Sequence, residues 1–368
     1  MTQVEEREGY RLLVRSIGTA GATAVTALRG LRVGSDENLA SLLYRAPSVL
    51  AGGLDRETGQ KLCQVLGKTG LELALLSPQE SFEPGTDDFE VALVIDDPSK
   101  VTAVIEETVT VLGVDVETAK RVVIQSPAAL IGGVSEATVV ALTERYRAFD
   151  VGLDVSRRRD AQFDVAIEAA DGRTRAAATA VLREVGAVVS AESAHHLLGT
   201  GLSLAAAERV WPDLARSASK VRILNRDLQR FDVRLEKALD TPEVRSFLTE
   251  TVGMPERLVG RALARTPLVL RENVSGREMT ALLEGAQAVG ASATGILLAL
   301  QGFALDIKPG GDRQSARGWV YAIAGREAAA EFTDTRPCRL GGPLTKLQAR
   351  WLQHELRKHG VSSELVAR

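Results

Sequence analysis

The spacing of apolar positions changes in a fixed order along this chain, and the order recurs. Phe89 to Ile95 (Phe-Glu-Val-Ala-Leu-Val-Ile) alternates at its start and then runs on as β-branched residues, which predicts a strand. At Val101, Val104, Ile105, Val109 and Leu112 the spacing becomes three and four, the stripe of an amphipathic helix. Asp97-Pro98 opens that helix: an aspartate accepts bonds from orphan N–H groups, and a proline in the first turn has no N–H to lose. Gly113 suits the left-handed residue that closes it. A second helix is predicted from Val116 to Gln125, stopped by Pro127, which disfavours helical geometry in Ser126. Ala128 to Ile131 predicts a short strand ending at Gly132-Gly133. Ser135 caps a third helix reaching about Phe149, and Val151 to Val155 alternates as a last strand. The predicted order is β-α-α-β-α-β.

The same grammar lies elsewhere in the chain. Leu13-Val14, Ala46-Pro47 and Gly52-Gly53-Leu54 each fall 80 positions before Leu93-Val94, Ser126-Pro127 and Gly132-Gly133-Val134. Only the stretch around Gly34 and Gly113 slips, by one residue. Phe231 to Leu235 repeats the first strand, Thr241-Pro242 opens a helix about one turn shorter, and Thr266-Pro267 follows. Ser275 and Glu278 then have capping-box spacing. A third copy begins at Phe163 to Ile167, lacks the proline and shortens its turn to Gly199-Thr200-Gly201 before Ser203. A fifth, reduced copy is predicted to use Trp319 to Ala324 as its first strand, a helix capped by Thr345 and Gln348, and a closing strand from Val361 to Val366.

These readings predict an α+β protein of tandem β-α-α-β-α-β modules, each a small three-stranded sheet on three helices. The predicted divisions are 9–77 for module 1, 78–88 for a solvated linker and 89–156 for module 2. Module 3, degenerate, takes 163–225, module 4 takes 230–307, and module 5 takes 318–368. So little chain separates modules 3 and 4 that they are expected to pack together. Arg157-Arg158-Arg159 and Lys308 to Arg317 read as connections.

Composition narrows the function classes. A hydrophobic content of 45% with 25% charged residues is ordinary for folded proteins and argues against wholesale disorder. A net charge of −3 argues against bulk attraction to nucleic acid or anionic membrane. Only 4% of residues are aromatic, so the cores must rest on Ala, Val and Leu, which suits small modules. Arginine far outnumbers lysine, a mark of a GC-rich, bacterial genome. Cys63 and Cys338 lie far apart and form no metal-binding pair. With no apolar signal core at the start and no membrane-length apolar run, the expected location is the cytoplasm.

The stretch 89–156, through Ser99-Lys100-Val101, Ala119-Lys120 and the run from Ser126 to Ser135, resembles the C-terminal domain of the ribosomal stalk protein. That domain has the same element order. The resemblance is fair for residues 10–77 and for 231 to about 300. It implies a docking surface on the first two helices, where the family binds translational GTPases, and by position it assigns Lys100, Val101, Ile105 and Lys120 to that surface. Glu106 and Glu107 stand where the family has basic residues. Clp-protease adaptors resemble the same fold; Asp96-Asp97-Pro98 and His195-His196 are similar to their acidic segment and histidine, which implies a peptide-binding role beside an AAA+ machine.

Candidate chemistry is sparse. Ser16 to Gly21 lies between a strand and a helix, the setting of a phosphate loop, but lacks the Walker lysine and reads as a flexible turn. His195-His196 diverge by about 100° on a helix, and neither they nor His354 and His359 have metal-site spacing. There is no Gly-x-Ser-x-Gly elbow. No metal, cofactor or catalytic residue is therefore expected. The C-terminal stretch carries Arg336, Arg339, Lys346, Arg350, Arg357, Lys358 and Arg368 against Glu355 and Glu364, so Arg339, Lys346, Arg350, Arg357 and Lys358 are the nucleic-acid candidates. Trp319, Tyr321 and Trp351 are the expected core of that last module. The reading that follows is a non-catalytic scaffold or adaptor binding proteins through the first two helices of some modules. Its alternatives are an RNA or DNA binder using the C-terminal module and a Clp-adaptor-like peptide binder.

Overall fold

The computed structural model describes residues 9–30, 36–167, 172–189, 197–217, 221–332 and 336–367. The chain forms two compact units, one of Met1–Val123 and Ala128–Arg158, the other of Ile124–Pro127 and Arg159–Arg368. Among the described residues there are five small antiparallel sheets with helices interleaved.

In the first unit, module 1 contains β1 (Tyr10–Ser16), α1 (Ala22–Gly30), α2 (Asp36–Tyr44), β2 (Ser48–Leu54), α3 (Arg56–Gly67) and β3 (Glu72–Leu76). Module 2 repeats the order with β4 (Phe89–Val94), α4 (Val101–Leu112), α5 (Val116–Val123), β5 (Ala128–Val134), α6 (Glu136–Arg147) and β6 (Gly152–Arg157). The first strand lies in the middle of each sheet, giving β2-β1-β3 and β5-β4-β6. It therefore has a neighbour on both edges, and Leu12–Val14 and Val91–Leu93 are buried in succession rather than alternately. Asp97 caps a 3₁₀ turn at Pro98–Lys100 that leads into α4, and Gly113 closes α4 at φ 67° as expected.

The strand after the proline corrects the expectation for Gly132-Gly133. It does not end there. β5 passes through the pair as a bulge, with Gly133 at φ 71°, and reaches Val134 against Phe89. Gly53, Gly201 and Asn273 hold the same left-handed position two residues before the third helix is capped. Pro47, Pro127 and Pro267 also correspond, each following a cis peptide bond just before its strand.

Residues 78–88 are not a free linker. Gly85 N donates to Pro47 O at 2.8 Å, Arg11 donates to the Glu80 carbonyl, and the Arg11 guanidinium lies 5.8 Å from the Phe82 ring centroid. A Cβ on Gly85 would stand 2.3 Å from the Arg45 and Ala46 carbonyl oxygens, so only glycine lets the strap lie this close. Arg157 likewise belongs to β6, its guanidinium 5.2 Å from the Phe89 ring centroid.

The second unit begins with module 3: β7 (Phe163–Ile167), α7 (Gly172–Glu184), β8 (Val188–Val189), β9 (Leu197–Leu202), α8 (Leu204–Ser217) and β10 (Val221–Asn225). Its sheet has four strands, β10-β7-β9-β8, because β8 adds to the outside of β9. Every residue of β7 is buried. Ala166 and Leu224 pack against Leu297 and Ala299, which joins modules 3 and 4 as their short connection requires.

Module 4 follows with β11 (Arg230–Lys237), α9 (Pro242–Ser246) continued by π-helical Phe247–Thr251, α10 (Glu256–Leu263), β12 (Leu268–Ser275), α11 (Gly276–Ala288) and β13 (Ser292–Leu297). The capping box at Ser275 and Glu278 forms.

Module 5 is complete rather than reduced, and it starts earlier than its sequence suggests. Its elements are β14 (Phe303–Ile307), α12 (Arg313–Glu331), β15 (Cys338–Leu344), α13 (Lys346–Lys358) and β16 (Ser363–Ala367), in the sheet β15-β14-β16. Phe303–Ile307 thus opens module 5 instead of ending module 4. Trp319 to Ala324 is helical, because Ala316, Val320 and Ile323 form a buried stripe at helical spacing. Gly325, at φ 89° and ψ 178°, breaks α12 into the two helices the repeat requires. Trp351 is buried, with its ring centroid 6.3 Å from that of Trp319, but Tyr321 is 61% exposed and is not core. Thr345 and Gln348 form the expected capping box.

Candidate interaction surfaces

Modules meet where one helix ends and another begins. In the first unit α2 ends at Tyr44, three residues before Pro47, with orphan carbonyls in need of donors. Tyr44 O accepts from Ser135 N at 3.0 Å and from Thr138 Oγ1 at 2.9 Å, and Ala46 O accepts from the Ser135 hydroxyl. Ser135 is the residue that caps α6. The Tyr44 hydroxyl donates to Val111 O at 2.6 Å, and burial raises its pKa against the opposing effect of Arg145. Arg145 donates to the Ala20 carbonyl and holds Glu107 at 2.6 Å, with both side chains largely buried. Gly21 fits beneath Thr110, where a Cβ would meet Thr110 at 2.7 Å.

The second unit repeats this joint. Ile124 also stands three residues before its proline, and its carbonyl accepts from Thr345 Oγ1, the cap of α13, at 2.7 Å. Next to Thr345, Lys346 is buried and bonded to Asp232, with Glu272 Oε1 at 3.1 Å; Arg350 also reaches Glu272. Asp232 Oδ1 accepts from Asn273 N at 3.0 Å, so the aspartate secures the bulge as well as the lysine. For Glu272, burial alone would raise the carboxyl, but Lys346 and Arg350 outweigh it and hold the pKa below its ordinary value.

In module 4 the corresponding turn is open. Ala264 is the equivalent of Tyr44 and Ile124. Ala264, Arg265 and Pro267 are exposed, and neither the Ala264 nor the Thr266 carbonyl accepts a side-chain hydroxyl among the described residues. Ser48 and Leu50 are buried, as are Ala128 and Leu130, whereas their counterparts Leu268 and Leu270 are only half-buried. Between those two, Val269 is 43% exposed, and Leu258 on α10 is 39% exposed.

The residues singled out in the sequence fall elsewhere. Val101 and Ile105 are buried in the module 2 core and cannot contact a partner in the folded chain. Lys100 is half-buried, and Lys120 is held by Glu117 at 2.6 Å. The exposed apolar residue on α5 is Val116, at 58%. Of the basic C-terminal candidates, Arg339 makes a bidentate pair with Asp306, and Lys358 pairs with Glu355 at 2.8 Å. Lys346 and Arg350 face Asp232 and Glu272, as above. Arg357 is exposed. His195-His196 lie outside the described residues.

The Ser16 to Gly21 turn uses its amides internally. Gly18 N donates to Ser16 Oγ, Thr19 N to Gly70 O and Ala20 N to Ile17 O, at 2.9–3.1 Å. A crevice of about 590 Å³ in the second unit is lined by residues including Ser126, Arg222, Gln301 and Thr345, and Arg222 there donates to the Ser126 and Ala299 carbonyls. A hollow of about 420 Å³ on the broken helix α12 is lined by Arg317, Tyr321 and Arg326 with small residues. Neither lining joins a nucleophile to a base. No group of three or more His, Cys, Asp or Glu residues is placed to hold a metal among the described residues, and no described helix is long and apolar enough to cross a membrane.

The joint residues Tyr44, Thr138 and Arg145 carry no sequence signature, since their role depends on which module lies beside them. No protein-family model, curated protein or solved structure matches the chain.

Proposed function

We propose that this protein is a non-catalytic scaffold whose modules present protein-binding faces around their second helices. The observation that carries the reading is the reuse of one joint. The turn after the second helix binds a neighbouring helix start at Tyr44 and again at Ile124, and the same turn is open at Ala264. A fold that has already used this surface twice for protein contacts presents it a third time, rimmed by Leu258 and Val269. Repetition adds avidity, because linked weak sites raise each other's effective concentration. The resemblance to the stalk domain, which docks GTPases through its first two helices, points to the same part of the module. Here the surface is supplied by Val116 and Leu258 in place of Val101 and Ile105.

The experiment is capture from native lysate by the full chain and by Val116→Glu and Leu258→Glu variants. A partner retained by the wild type and lost by either variant supports the reading. An identical set of bound proteins on all three removes the proposed faces. Nucleic-acid binding through module 5 is the weaker reading, since Arg339, Lys346, Arg350 and Lys358 each face a carboxylate.

A further inference from the structure

Two joints inside the chain define what the turn after a second helix accepts: a hydroxyl on the residue that caps a third helix. Ser135 supplies it to Ala46, and Thr345 supplies it to Ile124. Among the described residues three other helix starts hold the same place, two residues after the left-handed position. Asp55 caps α3 with a carboxylate, which cannot donate. Ser275 donates its hydroxyl to its own Glu278 at 2.8 Å. Ser203, at the start of α8, is exposed; its oxygen accepts from Ala206 N at 3.3 Å, and its proton goes to no group among the described residues. Among the described residues, module 3 therefore holds an unused donor and module 4 an unused acceptor.

The flanking chemistry agrees. Beyond Ser203, α8 carries Trp211, which is 47% exposed. The turn at Ala264 lies between Arg261 and Arg265 and beside the exposed Val269. An exposed aromatic ring on one side meets guanidinium groups and an aliphatic side chain on the other.

We propose that a second copy of this chain docks the start of its α8 on the module 4 turn, with Ser203 donating to the carbonyls after α10. This rests on the reading above that the turn is a protein-binding face, and it names the partner. Donor and acceptor are different surfaces, so the contact is head-to-tail and propagates beyond a dimer.

The test is sedimentation of the full chain, wild type and variants, at concentrations up to about 100 μM. Trp211→Ala removes the donor side, and Val269→Glu removes the acceptor side; both positions are exposed. The wild type is expected to exceed the monomer mass of 39.3 kDa increasingly with concentration. Each variant alone is expected to stay monomeric, and an equimolar mixture to stop at twice the monomer mass, because one intact joint remains. A monomeric wild type overturns the proposal. So does a variant that still assembles alone, or a mixture that stays monomeric. If the wild type is monomeric but Leu258→Glu still loses a captured protein, self-docking falls and the scaffold reading stands.

Discussion

The backbone N–H of Ser135 donates to the Tyr44 carbonyl at 3.0 Å, so the residue that starts one module's third helix also terminates another module's second. The hydroxyl of Ser135 reaches Ala46 O and lies 3.4 Å from Thr138 N. Removing it affects both ends at once. Ser135→Ala is expected to cost the first unit about 1–3 kcal/mol, from the lost cap and from a buried carbonyl left without its donor. Thr138→Val is expected to cost less, since Ser135 N still reaches Tyr44. Hydrogen exchange over α2 and α6 checks this: protection should fall in both helices together, not in α6 alone.

Lys346 and Asp232 are 8% and 7% exposed, and each is the other's charge partner. Lys346→Met leaves a buried carboxylate and is expected to destabilise the second unit by about 3 kcal/mol or more. Asp232→Asn in the same chain should recover most of that loss, because the amide oxygen can still accept from Asn273 N. All three tryptophans, Trp211, Trp319 and Trp351, lie in this unit, so tryptophan emission during urea unfolding reports it directly. A double variant as unstable as the single one would contradict the pairing.

Gly133 and Gly85 separate two reasons for glycine. At Gly133 a Cβ meets nothing closer than 3.9 Å, and the cost of Gly133→Ala is conformational, about 1–2 kcal/mol for a side chain in the left-handed region. Gly133→Asn should cost less, as Asn273 already occupies that position at φ 54°. Gly85→Ala is a steric insertion against two carbonyl oxygens and should detach residues 78–88 from module 1. Limited proteolysis distinguishes them: new cleavage within 78–88 is expected for Gly85→Ala and not for Gly133→Ala.

Tyr146 titrates in a way that links stability to alkaline pH. Thr108 donates to Val104 O at 2.7 Å, which leaves its oxygen to accept from the Tyr146 hydroxyl at 3.0 Å. Burial, and to a lesser extent Glu107, push the phenol up to about 12 from 10.0. The unfolded chain loses this proton near pH 10 while the folded chain keeps it. The contribution is thus intact below pH 10 and is lost as pH rises toward about 12, by about 2–3 kcal/mol in all. In Tyr146→Phe that part of the alkaline loss should vanish, as measured by thermal unfolding of the first unit between pH 9 and 11.

Short-range rules make the repeat legible in the residues themselves. Prolines, capping residues and glycines act within a few positions of themselves, so Pro47, Pro127 and Pro267, the boxes at Ser275 and Thr345, and Gly113 mark the order of elements correctly. The same rules misplace Trp319 to Ala324, because a short apolar run is compatible with either period until its burial partners are known. Helical packing of Ala316, Val320 and Ile323 decides that case. Interaction surfaces are not legible at all. Val101 and Ile105 belong to a helix stripe that faces its own core, and exposure is a property of neighbours distant in sequence. Chain chemistry determined that one β-α-α-β-α-β unit would recur; tertiary packing decided which helix ends are covered. A hydroxyl at a cap is the same residue whether its second partner is a carbonyl from another module, its own glutamate or water, and only the arrangement of modules tells these apart.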